Sequence, residues 1–158
     1  MWAATILIFS VFVASIKTKG IYQSCADEEI KPGNEYKDYI LCKASAFLVE
    51  RPGDSTYPDM KEFMDCTFIK AGWMDKTSHA LNVSKIANDL KTSEYPDRQN
   101  QIEELNKLCK NIYDPPRNAM NYLDCIALRP NSTKEIIPFI RKREPKFFNV
   151  FHCRGITL

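Results

Sequence analysis

The chain has 158 residues, with 22 basic against 20 acidic side chains, six cysteines, five glycines and nine prolines. That length fits one domain, and an apolar fraction of 44% with 27% charged residues excludes general disorder. A formal charge of +2 is too small to mark a nucleic-acid binder, and so few glycines exclude a phosphate-cradling loop or a collagen repeat.

Residues 2–16 carry no charge and consist mainly of Ala, Ile, Leu, Phe and Val. The run is shorter than the roughly 20 residues that span a bilayer and reads as the core of a signal peptide. The expected leader is therefore 1–20 and the expected mature domain 21–158, with no membrane anchor. Small residues allow cleavage after Ser15 or after Gly20. The later cut removes Lys17 and Lys19 and leaves a mature chain of zero formal charge. Two N-glycosylation sequons, at Asn82 and Asn131, have chemical meaning only in the secretory pathway.

The mature chain reads as short helices separated by proline-marked turns. Between residues 34 and 48, Tyr36, Ile40, Lys43 and Phe47 share one side, mostly apolar, as in an amphipathic helix. Arg51-Pro52-Gly53-Asp54 breaks it. Pro58 suits a first helical turn; Met60, Phe63, Met64, Thr67 and Ala71 follow at helical spacing, and Gly72 is a fitting stop. Asn82 is a candidate cap for a helix to Leu90. A longer helix starts near Pro96, with Ile102, Leu105, Cys109 and Ile112 as its inner stripe. After Pro115-Pro116, Ala119, Tyr122, Leu123 and Ile126 form another helix, stopped by Pro130. Ser132 with Glu135 matches a capping box, opening a segment that Pro138 is expected to kink or shorten. Asp27-Glu28-Glu29 reads as a helix start or an exposed loop. Strand signals are poor, so the expected fold is all-α, one domain of about six helices.

All six cysteines, at 25, 42, 66, 109, 125 and 153, follow the apolar run. An even count in an exported chain reads as three disulfides. No spacing typical of a metal site is present, and neither a metal nor a cofactor is expected. Six cysteines allow 15 pairings; the tight Pro-Pro turn makes Cys109 with Cys125 an easy one. Cys153 is expected to pin the aromatic segment 147–151 onto the domain. Catalytic signatures such as Gly-x-Ser-x-Gly or His-Glu-x-x-His are missing, His79 lies in a polar stretch, and Glu103-Glu104 sits on a solvated face. The reading is a binding protein, not an enzyme. Fifteen aromatic residues in the mature chain are consistent with an apolar cavity for a small ligand.

Particular residues then carry a resemblance. Asp65-Cys66, Gly72-Trp73-Met74-Asp75, Phe47 five residues after Cys42, and Tyr122-Leu123-Asp124-Cys125 resemble the insect odorant-binding superfamily. The position of the second cysteine, far upstream at 42 with glutamate at 62, is similar to the short D-seven salivary proteins of blood-feeding flies. The resemblance spans Cys25 to Cys153. It implies an odorant-binding-protein-like domain of six to eight helices around a pocket, likewise bridged Cys25–Cys66, Cys42–Cys153 and Cys109–Cys125. It also implies secretion in saliva as a monomer that sequesters host mediators of haemostasis and inflammation.

Amine-binding members of that family carry an arginine, a tyrosine, a histidine and an acidic pair where this chain has Ser45, Phe47, Phe63, Ile140 and Arg143. A buried ammonium needs a carboxylate, and Glu144, one position on, is the nearest acid. From residue 129 onward the chain has a net charge of +5. The ligand expected from these changes is a small amphipathic lipid mediator such as a leukotriene or thromboxane, its tail among Phe47, Phe63 and Ile140. Its carboxylate would lie near Arg141, Arg143 or Lys146. The alternatives are a biogenic amine, a host plasma protein of the clotting contact pathway gripped by the basic C-terminal region, and an odorant or pheromone.

Overall fold

Apolar residues three and four positions apart build almost every helix of this chain, and most of the helices are too short to stand without tertiary packing. A computed structural model describes residues 19–47, 58–113 and 118–156. Eight α-helices occur among them: α1 (Ile21–Glu29), α2 (Lys37–Ser45), α3 (Pro58–Lys70), α4 (Val83–Thr92), α5 (Gln99–Ile112), α6 (Ala119–Leu123), α7 (Ile136–Arg143) and α8 (Pro145–Phe148). A π-helical turn, Asp124–Leu128, continues α6. The β-structure among the described residues is one isolated antiparallel bridge between Met74 and Leu81. The all-α expectation holds. Residues 1–18 of the expected leader 1–20, and the expected breaks at Pro52-Gly53 and Pro115-Pro116, lie outside the described residues.

The local signals act as their chemistry requires. Asn82 caps α4, its side chain accepting from Lys85 N at 3.1 Å. Gly72 turns the chain out of α3 at φ +73°, so that Trp73 N donates to Phe68 O at 2.8 Å. Ile102, Leu105 and Cys109 are buried along α5, and Ala119, Tyr122, Leu123 and Ile126 along the α6–π segment.

Four local readings need correction. Asp27-Glu28-Glu29 forms the C-terminal end of α1, whose inner stripe of Tyr22, Cys25 and Ala26 is only three residues long. Ile112 is 39% exposed, because the inner face at the end of α5 passes through Cys109 and then Tyr113, both buried. The Ser132–Glu135 capping box does not form: Ser132 is buried, and Glu135 turns to Arg98 on the entry to α5. Pro138 falls in the first turn of α7, where its missing N–H would have had no intrahelical acceptor, so it neither kinks nor shortens the helix.

Buried carboxylates join elements distant in sequence. Asp65 on α3 accepts from Ala119 N at 2.7 Å, at the start of α6, and from Lys61 Nζ at 3.0 Å. Asp89 on α4 accepts from Trp73 Nε1 at 2.9 Å and from Arg143 Nη1 at 3.2 Å, with Lys85 on its other oxygen. Glu144, between α7 and α8, accepts from Ile21 N at 3.1 Å and Tyr22 N at 3.4 Å. α1 has no side-chain cap of its own, so Glu144 meets donors that its first turn leaves open.

Three disulfides close the fold: Cys25–Cys66 joins α1 to α3, Cys42–Cys153 joins α2 to the C-terminal segment, and Cys109–Cys125 joins α5 to the π turn. The bridge at Cys153 holds Phe147 and Phe148 in the core region, while Val150 and Phe151 stand in solvent at 53% and 74% exposure. The bridges enclose 41, 111 and 16 residues of sequence separation respectively. Loop-closure entropy makes the longest worth most, about 4–5 kcal/mol against about 3 for the shortest. Urea denaturation of Cys→Ser pairs should therefore show Cys42/Cys153 losing more stability than Cys109/Cys125; equal losses would contradict this ranking.

Candidate functional site

The side chains that form a cleft come from three helix faces brought together by the contacts above. α1 contributes Ile21 and Tyr22 from its first turn. α3 contributes Thr67 and Phe68, followed by Ala71, and the turn at Gly72 swings Trp73 back over them. α7 contributes Phe139, Ile140 and Arg143, with Glu144 just beyond its end. Trp73 stacks on Phe139 at 5.7 Å and meets Phe68 edge-on at 5.5 Å. The cleft encloses about 320 Å³ with its mouth, but its inner void is only about 20 Å³, room for about one water. The aromatic walls nearly touch.

One polar group within this apolar surround lacks a hydrogen-bond partner, and a second, already paired, stands at its rim. The Tyr22 hydroxyl is buried with no hydrogen-bond partner, whereas buried polar atoms are nearly always paired. Burial pushes its pKa well up; the Thr67 side chain opposes the rise, and the charge of Glu144 adds to it. Thr67 already donates its hydroxyl proton to Met64 O at 2.7 Å. The other group is Arg143, whose side chain is 41% exposed at the rim; its guanidinium lies over the Phe139 ring at 5.9 Å and pairs with Asp89. Burial alone would raise the Asp89 pKa, but hydrogen bonds from Lys85 and Trp73, with the charges of Lys85 and Arg143, hold it below the usual carboxylate range.

The residues predicted for the ligand divide between two places. Ile140 and Arg143 meet at the cleft. Phe47 and Phe63 lie instead in a solid aromatic cluster with Tyr22, Phe147 and Phe148. Phe47 stacks on Phe148 at 5.0 Å, Phe63 meets Tyr22 at 5.9 Å, and Tyr22 lies 5.1 Å from Phe147 and 4.9 Å from Phe148. Arg141 covers Phe47 at 5.4 Å, away from the cleft lining, and Lys146 is exposed on α8. Tyr22 alone belongs to both the cluster and the cleft. Sequence reasoning missed Tyr22, Thr67, Phe68 and Phe139 as cleft residues. The spacing of Tyr22 with Cys25 and Ala26, and of Ile136 with Phe139 and Ile140, marks their inner faces, but no local signal tells which inner face is left open.

His79 is a loop residue in the left-handed region (φ 53°) whose carbonyl accepts from the Tyr122 hydroxyl at 2.9 Å. Among the described residues, the group close enough to hold a metal is Glu28, Glu29 and Cys66, and Cys66 is committed to its disulfide. Asn82 and Asn131 are both exposed, as glycan attachment requires. No described helix is long and apolar enough to cross a membrane.

No protein-family model matches the chain. An Aedes aegypti protein described as a neutrophil recruitment protein is 34% identical over 159 aligned positions, covering 100% of this chain and 98% of the relative. A second Aedes aegypti protein, described as short form salivary protein D7S1, is 22% identical over 148 positions, covering 94% of each chain.

The rim of the cleft depends on the charge of Asp89. Its folded-state pKa is depressed, so its contribution is complete above about pH 4 and is lost as pH falls through the depressed value. Trp73 is the one tryptophan within residues 21–158, and in protein of that span its emission should change in that acid window. Asp89→Asn should show no such step; an identical acid transition in the variant would refute the assignment.

Proposed function

Since this chain belongs to the D-seven family of salivary proteins, we propose that it is secreted in saliva and sequesters a small amphipathic host mediator in the α1–α3–α7 cleft, acting by binding and not by catalysis. The observation that carries this reading is the apolar cleft with a buried, unpartnered phenol inside and a guanidinium at its rim. Apolar walls with a few placed polar groups are what small-ligand sites require. A ligand acceptor would satisfy the Tyr22 hydroxyl, and a ligand carboxylate would sit against Arg143 in a charge-assisted pair.

The charge inventory favours an acidic lipid such as a leukotriene or thromboxane over serotonin or histamine. Both oxygens of Glu144 are taken by the backbone of α1, and Asp89 is taken by Lys85, Trp73 and Arg143. An ammonium entering the cleft would have to compete with the α1 backbone donors for Glu144 or with Lys85 and Arg143 for Asp89, and an unpaired buried cation is costly. A lipid tail would run between Phe68, Trp73, Phe139 and Ile140, which must part to admit it. Binding that waits on such a rearrangement associates more slowly than docking to an open site.

A second reading has its own support. The exposed Val150 and Phe151 lie in a C-terminal region with Arg141, Lys142, Lys146 and Arg154 exposed, a surface suited to an acidic host protein. The neutrophil recruitment named for the relative makes host leukocytes a target to assay under either reading.

Calorimetry with a leukotriene and with serotonin separates the ligand classes. The lipid should bind. Arg143→Gln should weaken it about tenfold, a loss of about 1.4 kcal/mol, and Ala71→Phe, which fills the cleft, should weaken it more. Heat with serotonin alone, or lipid affinity unchanged in both variants, would reject the proposal. Salt-sensitive binding to a host protein with neither small ligand bound would select the second reading.

A further inference from the structure

Glu144 is only 6% exposed, yet among the described residues no cationic side chain pairs with it. Its side-chain partners are two backbone N–H groups, those of Ile21 and Tyr22. A buried carboxylate commonly faces a full positive charge, and here the atom at 3.1 Å from Oε1 is the nitrogen of Ile21. That nitrogen belongs to the peptide bond after Gly20, one of the two cleavage positions at the end of the leader.

We infer that processing cuts between Gly20 and Ile21, and that the α-ammonium so released forms a buried ion pair with Glu144. Export peptidase chemistry adds water across this bond. The carbonyl carbon of Gly20 takes the hydroxyl and the Ile21 nitrogen the remaining hydrogen; the new carboxyl then gives up its proton and the amine gains one, leaving a carboxylate on the leader and an ammonium on Ile21. One N–H donor becomes three, with a unit charge, at the position the carboxylate already faces.

The surroundings agree with this in two ways. A Cβ on residue 20 would lie 2.1 Å from Glu144 Oε2, so in the uncut chain the carboxylate lies directly against the backbone at the cleavage position. Glycine at this position and threonine two before it are also the small residues that such a cut prefers. A bare ammonium at a helix N-terminus opposes the helix dipole; Glu144 supplies the opposing charge. The cut forfeits the Ser24 N to Gly20 O bond at 2.9 Å and the Lys19–Asp27 ion pair. That pair is exposed, at 66% and 39%, and such pairs contribute little. The exchange gives up one backbone hydrogen bond and one exposed ion pair for a charged contact to a buried carboxylate.

This inference rests on the secretion proposed above and is independent of the ligand. The full chain, with its own leader, is expressed in insect cells, and the secreted protein is deglycosylated and weighed intact. The expected mass is that of a chain starting at Ile21 with three disulfides. A start at Ile16 or any other residue overturns the inference, and failure to be exported overturns it together with secretion. The second measurement is acylation of the α-amine at neutral pH. In the folded protein it should proceed at least tenfold more slowly than in the unfolded chain. Glu144→Gln, if it folds, should remove most of that protection. An α-amine in the wild-type fold that reacts as fast as in the unfolded chain rejects the ion pair.

Discussion

The first turn of α1 has no cap of its own, and the carboxylate of Glu144 crosses from the α7–α8 junction to supply one. Hydrogen bonds to a charged acceptor contribute about 1.5–3 kcal/mol each, enough to fix a nine-residue helix that could not persist alone. Much at the cleft follows from that contact. It sets Tyr22 between α3 and α8, and it draws α7 alongside so that Ile140 and Phe139 face Phe68 and Trp73. The Cys25–Cys66 bridge holds α1 to α3 at its middle. With α1 pinned at two points, the gap between α1, α3 and α7 is a property of the backbone frame and is not closed by helix sliding.

The aromatic residues serve two purposes that composition cannot separate. Phe63, Phe147 and Phe148 pack around Tyr22, and Phe47 stacks on Phe148 behind them. Phe68, Trp73 and Phe139 form a second group that keeps one side unfilled. Edge-to-face and offset contacts of this kind add about 0.5–1.5 kcal/mol each beyond the area they bury. Opening the second group therefore costs specific contacts, which a ligand must replace with its own.

Legibility in the sequence followed the range of the signal. The Asn82 cap, the Gly72 stop and the inner stripe of α5 rest on residues within four positions of one another, and each is where its local chemistry puts it. The pairing of six cysteines needed a resemblance, because spacing leaves all combinations open. What could not be read was tertiary. Glu144 serves a helix more than 120 positions away, Glu135 prefers Arg98 to the capping box its spacing matches, and Ser132 is buried instead of capping. Phe47 and Phe68 look alike as apolar members of helical faces. Only the assembled frame makes one a filler and the other a wall.

The Cys42–Cys153 bridge has a consequence for how the molecule is made. Chains emerge from their N-terminus, so the thiol of Cys42 must wait while 111 further positions are added before its partner exists. Cys25 is already present as a wrong partner, and Cys66, Cys109 and Cys125 appear during that interval. Any early bond from Cys42 to one of them has to be reopened by thiol exchange, which is slow without an isomerase. Correct yield should therefore be governed by the oxidising folding machinery of the producing cell more than by the stability of the finished fold.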